Sequence, residues 1–290
     1  MPLTRHSPCK VNLLLNILGQ RADGFHELET VLQPIGLFDL LHFERRTSGV
    51  ALTCNNPDLP VDSRNLVHRA ATAFFGAAEI NEGVSIHLEK NVPLASGLGG
   101  GSGNAANTLL GLNDLFGRPL AQDRLGEIAA SLGSDVPFFL QEKPALATGR
   151  GEIIAPIDPF PSLRGALMLL IHPGFGISTA WAYRQLAKHP AALNGRAGRA
   201  QNLILLLQTE KLAVAGKEFY NSLEAPALVK YPLLAMFREF LGANDSVAVL
   251  MSGSGSTTFA LAPDLGAAER LRERFIAKFG QGYWTALVPL

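Results

Sequence analysis

Pro93-Leu94-Ala95-Ser96-Gly97-Leu98-Gly99-Gly100-Gly101-Ser102-Gly103-Asn104-Ala105-Ala106 is the stretch on which the fold turns. It follows a predicted strand at residues 84–88 and opens a predicted helix at residues 102–116. Backbone N–H groups at such a junction converge on an anion at the positive end of the helix. Glycines suit the task because they adopt positive φ and let the chain approach phosphate oxygens without side-chain collision. A polyphosphate is the expected ligand. Two well-known phosphate motifs do not account for the stretch. A Walker loop ends in Gly-Lys-Ser/Thr, whereas the one Gly-Lys pair, Gly216-Lys217, is followed by Glu218. The dinucleotide fingerprint fails because Ser102 stands where its third glycine belongs and no acidic residue is suitably placed downstream. Taken alone, the cluster also reads as a plain connector between strand and helix.

Three other segments bear on that choice. Pro8-Cys9-Lys10-Val11-Asn12-Leu13 places a lysine and an asparagine two residues apart, hence on one face of an apolar strand. A lysine there is costly unless it meets negative charge, though at a strand edge it can snorkel to water. Gly133-Ser134-Asp135-Val136-Pro137-Phe138-Phe139 sets an acid in apolar surroundings after a helix stop; Asp135 by itself also reads as the cap of a following helix. Met251-Ser252-Gly253-Ser254-Gly255-Ser256-Thr257 is a second small-residue loop, ahead of a strand, and alone it is a tight turn.

The rest of the chain sets the frame. Its 290 residues allow two domains, and 47% hydrophobic against 17% charged residues supply a core rather than a disordered tail. Lys+Arg and Asp+Glu number 25 each, so the basic excess of a nucleic-acid binder is missing. Two cysteines, Cys9 and Cys54, are too few for a disulfide scaffold, and the longest apolar runs fall far short of a membrane span. A cytoplasmic protein with no nucleic-acid or membrane partner is expected. Strands are predicted at residues 10–17, 30–37, 40–44, 50–54, 84–88, 166–171, 247–251 and 257–261. Helices are predicted at 65–77, capped by Asp62 or Ser63, and at 102–116, 122–132, 179–188, 202–208, 233–241 and 265–279. The mixture makes the class α+β. The Pro-rich passage 156–161 separates residues 1–160 from residues 161–290, and Gly195–Gly198 reads as a surface loop. Cys54 is expected to be buried packing. No histidine shows metal-ligand spacing.

In this order, the four segments resemble the GHMP small-molecule kinases, named for galactokinase, homoserine kinase, mevalonate kinase and phosphomevalonate kinase. The resemblance covers almost the whole chain. Within Gly19-Gln20-Arg21-Ala22-Asp23-Gly24-Phe25-His26-Glu27-Leu28, the segment Arg21 to Leu28 resembles the branch that phosphorylates the tertiary 2-hydroxyl of diphosphocytidyl-methylerythritol in the non-mevalonate route to isopentenyl diphosphate and separates it from its relatives. The fold implied is an N-terminal α/β domain like the second domain of ribosomal protein S5, followed by a ferredoxin-like C-terminal domain. The activity implied is ATP-dependent, with Pro93 to Asn104 wrapping the ATP phosphates and Gly253, Ser254 and Gly255 alongside. Lys10 and Asp135 are implied as the catalytic pair, and Asn12 and His26 as substrate ligands, His26 meeting the cytosine edge. Phe25 and a second aromatic would stack on the base, the second being Tyr183, or else Phe175 or Trp181. Mg2+ is expected with the triphosphate, Ser102 being its candidate ligand, and the chain is expected to be a monomer or weak homodimer. Four positions depart from the family pattern: Cys9 replaces alanine, Phe25 replaces tyrosine, Gly103 replaces a second serine, removing one hydroxyl that could reach phosphate or metal, and Tyr183 stands where the second stacking aromatic is commonly phenylalanine.

Overall fold

A computed structural model describes residues 2–209 and 211–290. The chain forms two compact units that interleave in sequence. The first holds residues 1–9, 37–93 and 99–142; the second holds residues 10–36, 94–98 and 143–290. Two long strands, β1 (Leu3–Gln20) and β2 (His26–Arg46), contribute to both.

In the first unit, β3 (Val50–Cys54), β4 (Gly83–Glu89), β2 and β1 lie side by side in that order. β3 runs parallel to β4, from Val50↔Val84 to Cys54↔Leu88, and β4 runs antiparallel to β2, from Leu40↔Glu89 to Arg46↔Gly83. Helices α1 (Leu66–Ala78), α2 (Gly100–Leu115) and α3 (Gln122–Leu132) pack together and bury Phe74, Leu109, Leu112 and Leu125. α2 approaches the sheet closely at Gly111, where a Cβ would stand 2.7 Å from the Phe43 ring. The cap of α1 is Asn65, whose side chain accepts the Val67 N–H at 2.9 Å, and not Asp62 or Ser63. Asp62 instead accepts from Arg64 in the preceding turn.

In the second unit, the first part of β2 pairs with β5 (Ala145–Thr148), and β5 with β6 (Ile153–Pro156), a hairpin the sequence reading leaves out. A separate sheet combines β7 (Leu167–His172), β9 (Ala248–Met251), β10 (Thr258–Ala262) and β11 (Trp284–Pro289) in the order β11-β7-β10-β9, all antiparallel. Between β7 and β9 run helices α4 (Thr179–Gln185), α5 (Pro190–Leu193), α6 (Arg199–Thr209) and α7 (Leu212–Ala215), the short strand β8 (Tyr220–Asn221), and helices α8 (Glu224–Lys230) and α9 (Pro232–Gly242). α10 (Leu265–Phe279) joins β10 to β11. This is the split β-α-β arrangement of a ferredoxin-like domain. Its core joins Leu169, Ile171 and Ala260 of the sheet to Phe237, Leu241, Leu271 and Phe275 of the helices.

Candidate active site

In the second unit, the alternation of β1 puts Lys10 and Asn12 on one face, and both are buried, at 3% and 4% exposure. The strand-edge reading, with the lysine in water, therefore fails. Lys10 Nζ donates to Asn12 Oδ1 at 2.5 Å, Asn12 Nδ2 donates to Thr30 Oγ1 at 2.8 Å, and Thr30 Oγ1 donates to the Leu14 carbonyl at 2.5 Å. Because Thr30 spends its one proton on Leu14, its oxygen must accept from Asn12, which fixes the amide with Oδ1 toward the ammonium.

Against this face lie both small-residue loops. The Lys10 N–H donates to the Leu98 carbonyl at 3.0 Å, and the Thr257 N–H to the Ser96 carbonyl at 3.0 Å. Ser252 Oγ donates to the Gly97 carbonyl at 3.0 Å. Gly97, with φ +80°, has no room for a side chain, since its Cβ would fall 2.1 Å from the Ser252 carbonyl oxygen. Gly253, with φ +56°, faces the ammonium: a Cβ there would stand 3.4 Å from both Lys10 Nζ and Asn12 Oδ1. Lys10, Asn12, Gly97 and Gly253 are thus one cluster. Ser254 reaches α4 instead, where its hydroxyl meets Thr179 Oγ1 at 2.9 Å. Gly255, with φ +87°, packs against Met251 and Ile177.

The aromatic alternatives separate in space. Tyr183 lies beside His26, with ring centroids 5.0 Å apart. Phe175 stacks on Tyr231 at 5.1 Å, and Trp181 meets Tyr231 edge-on at 5.9 Å while Lys230 covers its face. Neither makes a ring contact with His26. Phe25 is 53% exposed, with the Arg150 guanidinium 4.7 Å above its ring. Burial lowers the His26 pKa, so near neutrality its imidazole is uncharged and can both donate and accept. Glu27 pairs with Arg21.

In the first unit, α2 begins with Gly99 as its N-cap, at φ +71° and with no side chain to bond the first-turn N–H groups. The first N–H to find a carbonyl is that of Gly103, on Gly99 at 2.9 Å. The amides before it point to whatever lies beyond the helix end, as an anion site requires. Gly101 opens on space, a Cβ there meeting only Leu66 at 3.8 Å. Asn104 turns the other way: it is 2% exposed and donates to the buried Asp39 at 3.0 Å. Leu98 is likewise fully buried and contributes through its backbone. Of the remaining stretch, Pro93 and Leu94 lead out of β4, while Ala95, at φ +49°, packs beneath Gly176. Asp135 lies between α3 and a single 3-10 turn (Pro137–Leu140) whose N-cap is Val136.

Sequence reasoning passed over Asp39. It is fully buried and accepts from the Asn91 N–H at 2.8 Å, the Val92 N–H at 2.9 Å, Asn104 and the Lys90 ammonium. Lys90 Nζ stands 3.1 Å from the Cβ position of Gly100, under the first turn of α2. The carboxylate thus ties the chain that enters the glycine stretch to the helix that leaves it. The available signal was an aspartate between apolar residues of a strand, with a lysine just after the neighbouring strand. Glu29 was missed for the same reason: it takes the Gly198 and Ala200 N–H groups and the Asn16 amide, capping α6 and pinning the 195–198 loop. Cys54, expected in the core, is only half buried.

Among the described residues, no group of three His, Cys, Asp or Glu side chains can hold a metal ion. No helix is long and apolar enough to cross a membrane. Magnesium commonly keeps its waters and binds phosphates with only one or two protein oxygens. Ser102, in the first turn of α2, fits that pattern.

The profile of the GHMP kinases N terminal domain matches residues 65–143, and that of the GHMP kinases C terminal domain residues 200–281. The 4-diphosphocytidyl-2-C-methyl-D-erythritol kinase of Synechococcus sp. (strain JA-3-3Ab) is 39% identical over 281 residues, 95% of this chain and 90% of that protein. The kinase of the same name from Syntrophotalea carbinolica is 35% identical over 94% of both chains. A crystal structure of 4-(cytidine 5'-diphospho)-2C-methyl-D-erythritol kinase superposes with a TM-score of 0.82 at 34% identity, over 99% of this chain and 100% of that one. Homoserine kinase from Cytophaga hutchinsonii, at 18% identity and a TM-score of 0.76 over 100% of this chain and 94% of that one, shares the fold. The chain belongs to the GHMP kinases and, within them, to the family of 4-diphosphocytidyl-2-C-methyl-D-erythritol kinases.

Proposed function

We propose that the protein transfers the γ-phosphoryl group of ATP to the 2-hydroxyl of 4-diphosphocytidyl-2-C-methyl-D-erythritol, giving the 2-phosphate and ADP on the non-mevalonate route to isopentenyl diphosphate. The observation that carries the reading is the buried Lys10–Asn12 pair set against Gly97 and Gly253, in a chain 39% identical to kinases of that name. The substrate oxygen forms a bond to the γ-phosphorus while the bond to the β,γ-bridging oxygen breaks, and the hydroxyl proton passes to Asp135. Lys10 offsets charge on the transferring group. The amides at the start of α2 hold the triphosphate, and Ser102 would hold the magnesium that neutralises it. His26 reads the cytosine edge, with Phe25 and Tyr183 as its platforms; their places beside Arg150 and His26 support this. Gly103 leaves Ser102 as the only hydroxyl of the pair. The working division is residues 1–160, carrying phosphate loop and catalytic pair, and residues 161–290. A cytoplasmic protein, monomeric or weakly dimeric and without nucleic-acid or membrane partners, completes the proposal; a chain with two cysteines, Cys9 and Cys54, fits a reducing compartment.

Coupled ADP release with the cytidylyl substrate tests this. Wild type should respond to that alcohol and not to homoserine or mevalonate. Lys10→Ala and Asp135→Ala should each lower kcat by about 100-fold or more, the usual worth of a positioned acid-base or charge-stabilising group. Folded variants that keep most of the turnover would refute the catalytic pair.

A further inference from the structure

Asn221 lies on β8, which pairs in parallel with β1 at Leu14↔Tyr220 and Leu15↔Asn221. Ser222 reinforces that register: its N–H donates to the Leu15 carbonyl at 2.8 Å and its hydroxyl accepts the Ile17 N–H at 3.0 Å. The Asn221 side chain is 2% exposed. Its Oδ1 accepts the Leu223 N–H at 2.9 Å, and its Nδ2 donates to two carbonyls of the second glycine loop, Met251 and Gly253, at 2.7 Å each. Every hydrogen-bonding direction but one lone pair is committed. Glu224 adds a second tether, taking the Met251 N–H at 2.8 Å. The loop so held is the one whose Gly253 faces Lys10 Nζ and Asn12 Oδ1. One strand, β1, therefore carries the ammonium and also locates the amide that locates the loop opposite it.

We propose that Asn221 is a positioning residue for phosphoryl transfer, setting the place of the Gly253–Gly255 loop relative to the Lys10 ammonium. A loop with positive φ at Gly253 and Gly255 has little intrinsic preference for one shape. Several bonds choose the shape it has: Ser252 Oγ to Gly97, the Ser252 N–H to Thr257 and the Gly255 N–H to the Ser252 carbonyl at 2.9 Å each, Ser254 Oγ with Thr179, the Thr257 N–H to Ser96, and the Asn221 amide to Met251 and Gly253. The amide holds the Gly253 carbonyl itself. Without it, two buried carbonyls lose their donor and Gly253 is free to swing relative to Lys10. The inference rests on the kinase reading above.

Asn221→Asp keeps the shape and turns the donor into an oxygen facing two carbonyl oxygens; Asn221→Ala deletes it. Both should lower kcat by about 30- to 100-fold, the scale of a misplacement near 1 Å, with the KM for ATP changed by less than about threefold. Hydrogen exchange of residues 252–256, which needs no substrate, should accelerate in both. If kcat per folded molecule and this exchange match wild type while only the melting temperature falls, Asn221 is structural and the proposal is overturned. Should either variant fail to fold, Asn221→Thr, whose hydroxyl can serve one carbonyl, should show an intermediate loss of kcat; full turnover would overturn the proposal. The kcat comparison is made on whichever alcohol wild type phosphorylates. A silent cytidylyl substrate therefore counts against the function, and an unchanged variant against Asn221.

Discussion

Restoring the family's second serine should damage this protein rather than improve it. Gly103 reads in sequence as a lost hydroxyl, which Gly103→Ser restores in composition. In the structure, a Cβ at 103 would stand 2.6 Å from the Pro8 carbonyl oxygen, 3.2 Å from Ser7 Oγ and 3.6 Å from the Phe139 ring. The nearest neighbour is backbone, held in β1, so it cannot turn aside as the end of a long side chain would. Position 103 also faces inward, so a serine hydroxyl there is aimed at β1 and not at the ligand end of α2. Replacing glycine inside a helix returns roughly 0.5 kcal/mol of backbone preference. Forcing atoms into a filled site costs about 1–3 kcal/mol, so a net loss of about 1–2 kcal/mol remains. With an unfolding entropy of about 2.1 cal/mol/K per residue, a chain of 290 residues should melt about 2–3 °C lower. Gly101→Ala is the control, because its Cβ meets only Leu66 at ordinary contact distance; it should melt at or above the wild-type temperature. Differential scanning calorimetry without ligand reads both, and ATP titration of Gly103→Ser should show no gain in affinity. A serine variant as stable as wild type that binds ATP more tightly would refute the reasoning.

Three further outcomes follow from the same contacts. Asp39→Ala strands the Lys90 ammonium, whose side chain is 4% exposed, and should cost about 3–5 kcal/mol in urea unfolding; a loss under about 1 kcal/mol would mean that water reaches the ammonium. Burial lowers the pKa of His26 and of His172 from the ordinary 6.5, so just below that pH the folded state binds fewer protons than the unfolded chain. Their contribution to stability is whole above pH 6.5 and is lost as pH falls; urea midpoints near pH 7.5 and pH 5.5 should differ in that sense, and His172→Gln should narrow the gap. Tyr183→Ala should raise the KM for the cytidylyl substrate by up to about tenfold, the worth of one aromatic contact, leaving the KM for ATP alone. Equal effects from Phe175→Ala would point to the wrong ring.

The regular elements were legible because their periodicity is local. Residues 122–132 and 265–279 carry apolar side chains at helical spacing, and both are helices over those bounds. β2 was read as two strands, residues 30–37 and 40–44, split at Phe38-Asp39, although it runs unbroken through them and through Pro34. Proline is tolerated there because β5 bonds β2 only at Thr30–Leu32 and β4 only from Leu40 onward, so residues 33–39 lack a partner on that flank. β8 and the β5–β6 hairpin were missed because strands of two to four residues carry almost no periodic signal. The glycine loops announced themselves by composition. What holds them did not: Asp39, Glu29 and Asn221 act on residues 52, 171 and 32 positions away, and a single polar residue in an apolar stretch gives no hint of its partner.

Strand β1 also limits how this chain can change in length. Side chains on a strand alternate with a period of two, so inserting or deleting one residue within Lys10–Leu15 would send Lys10 and Asn12 to the opposite face or shift β8 out of register. No compensating substitution in the loops could restore both at once. The exposed turn at residues 55–63 carries no such double duty and is where length variation among relatives should collect. Gaps, rather than substitutions, are the kind of change this active site tolerates least, and a one-residue deletion series along Leu3–Gln20 would map that intolerance directly.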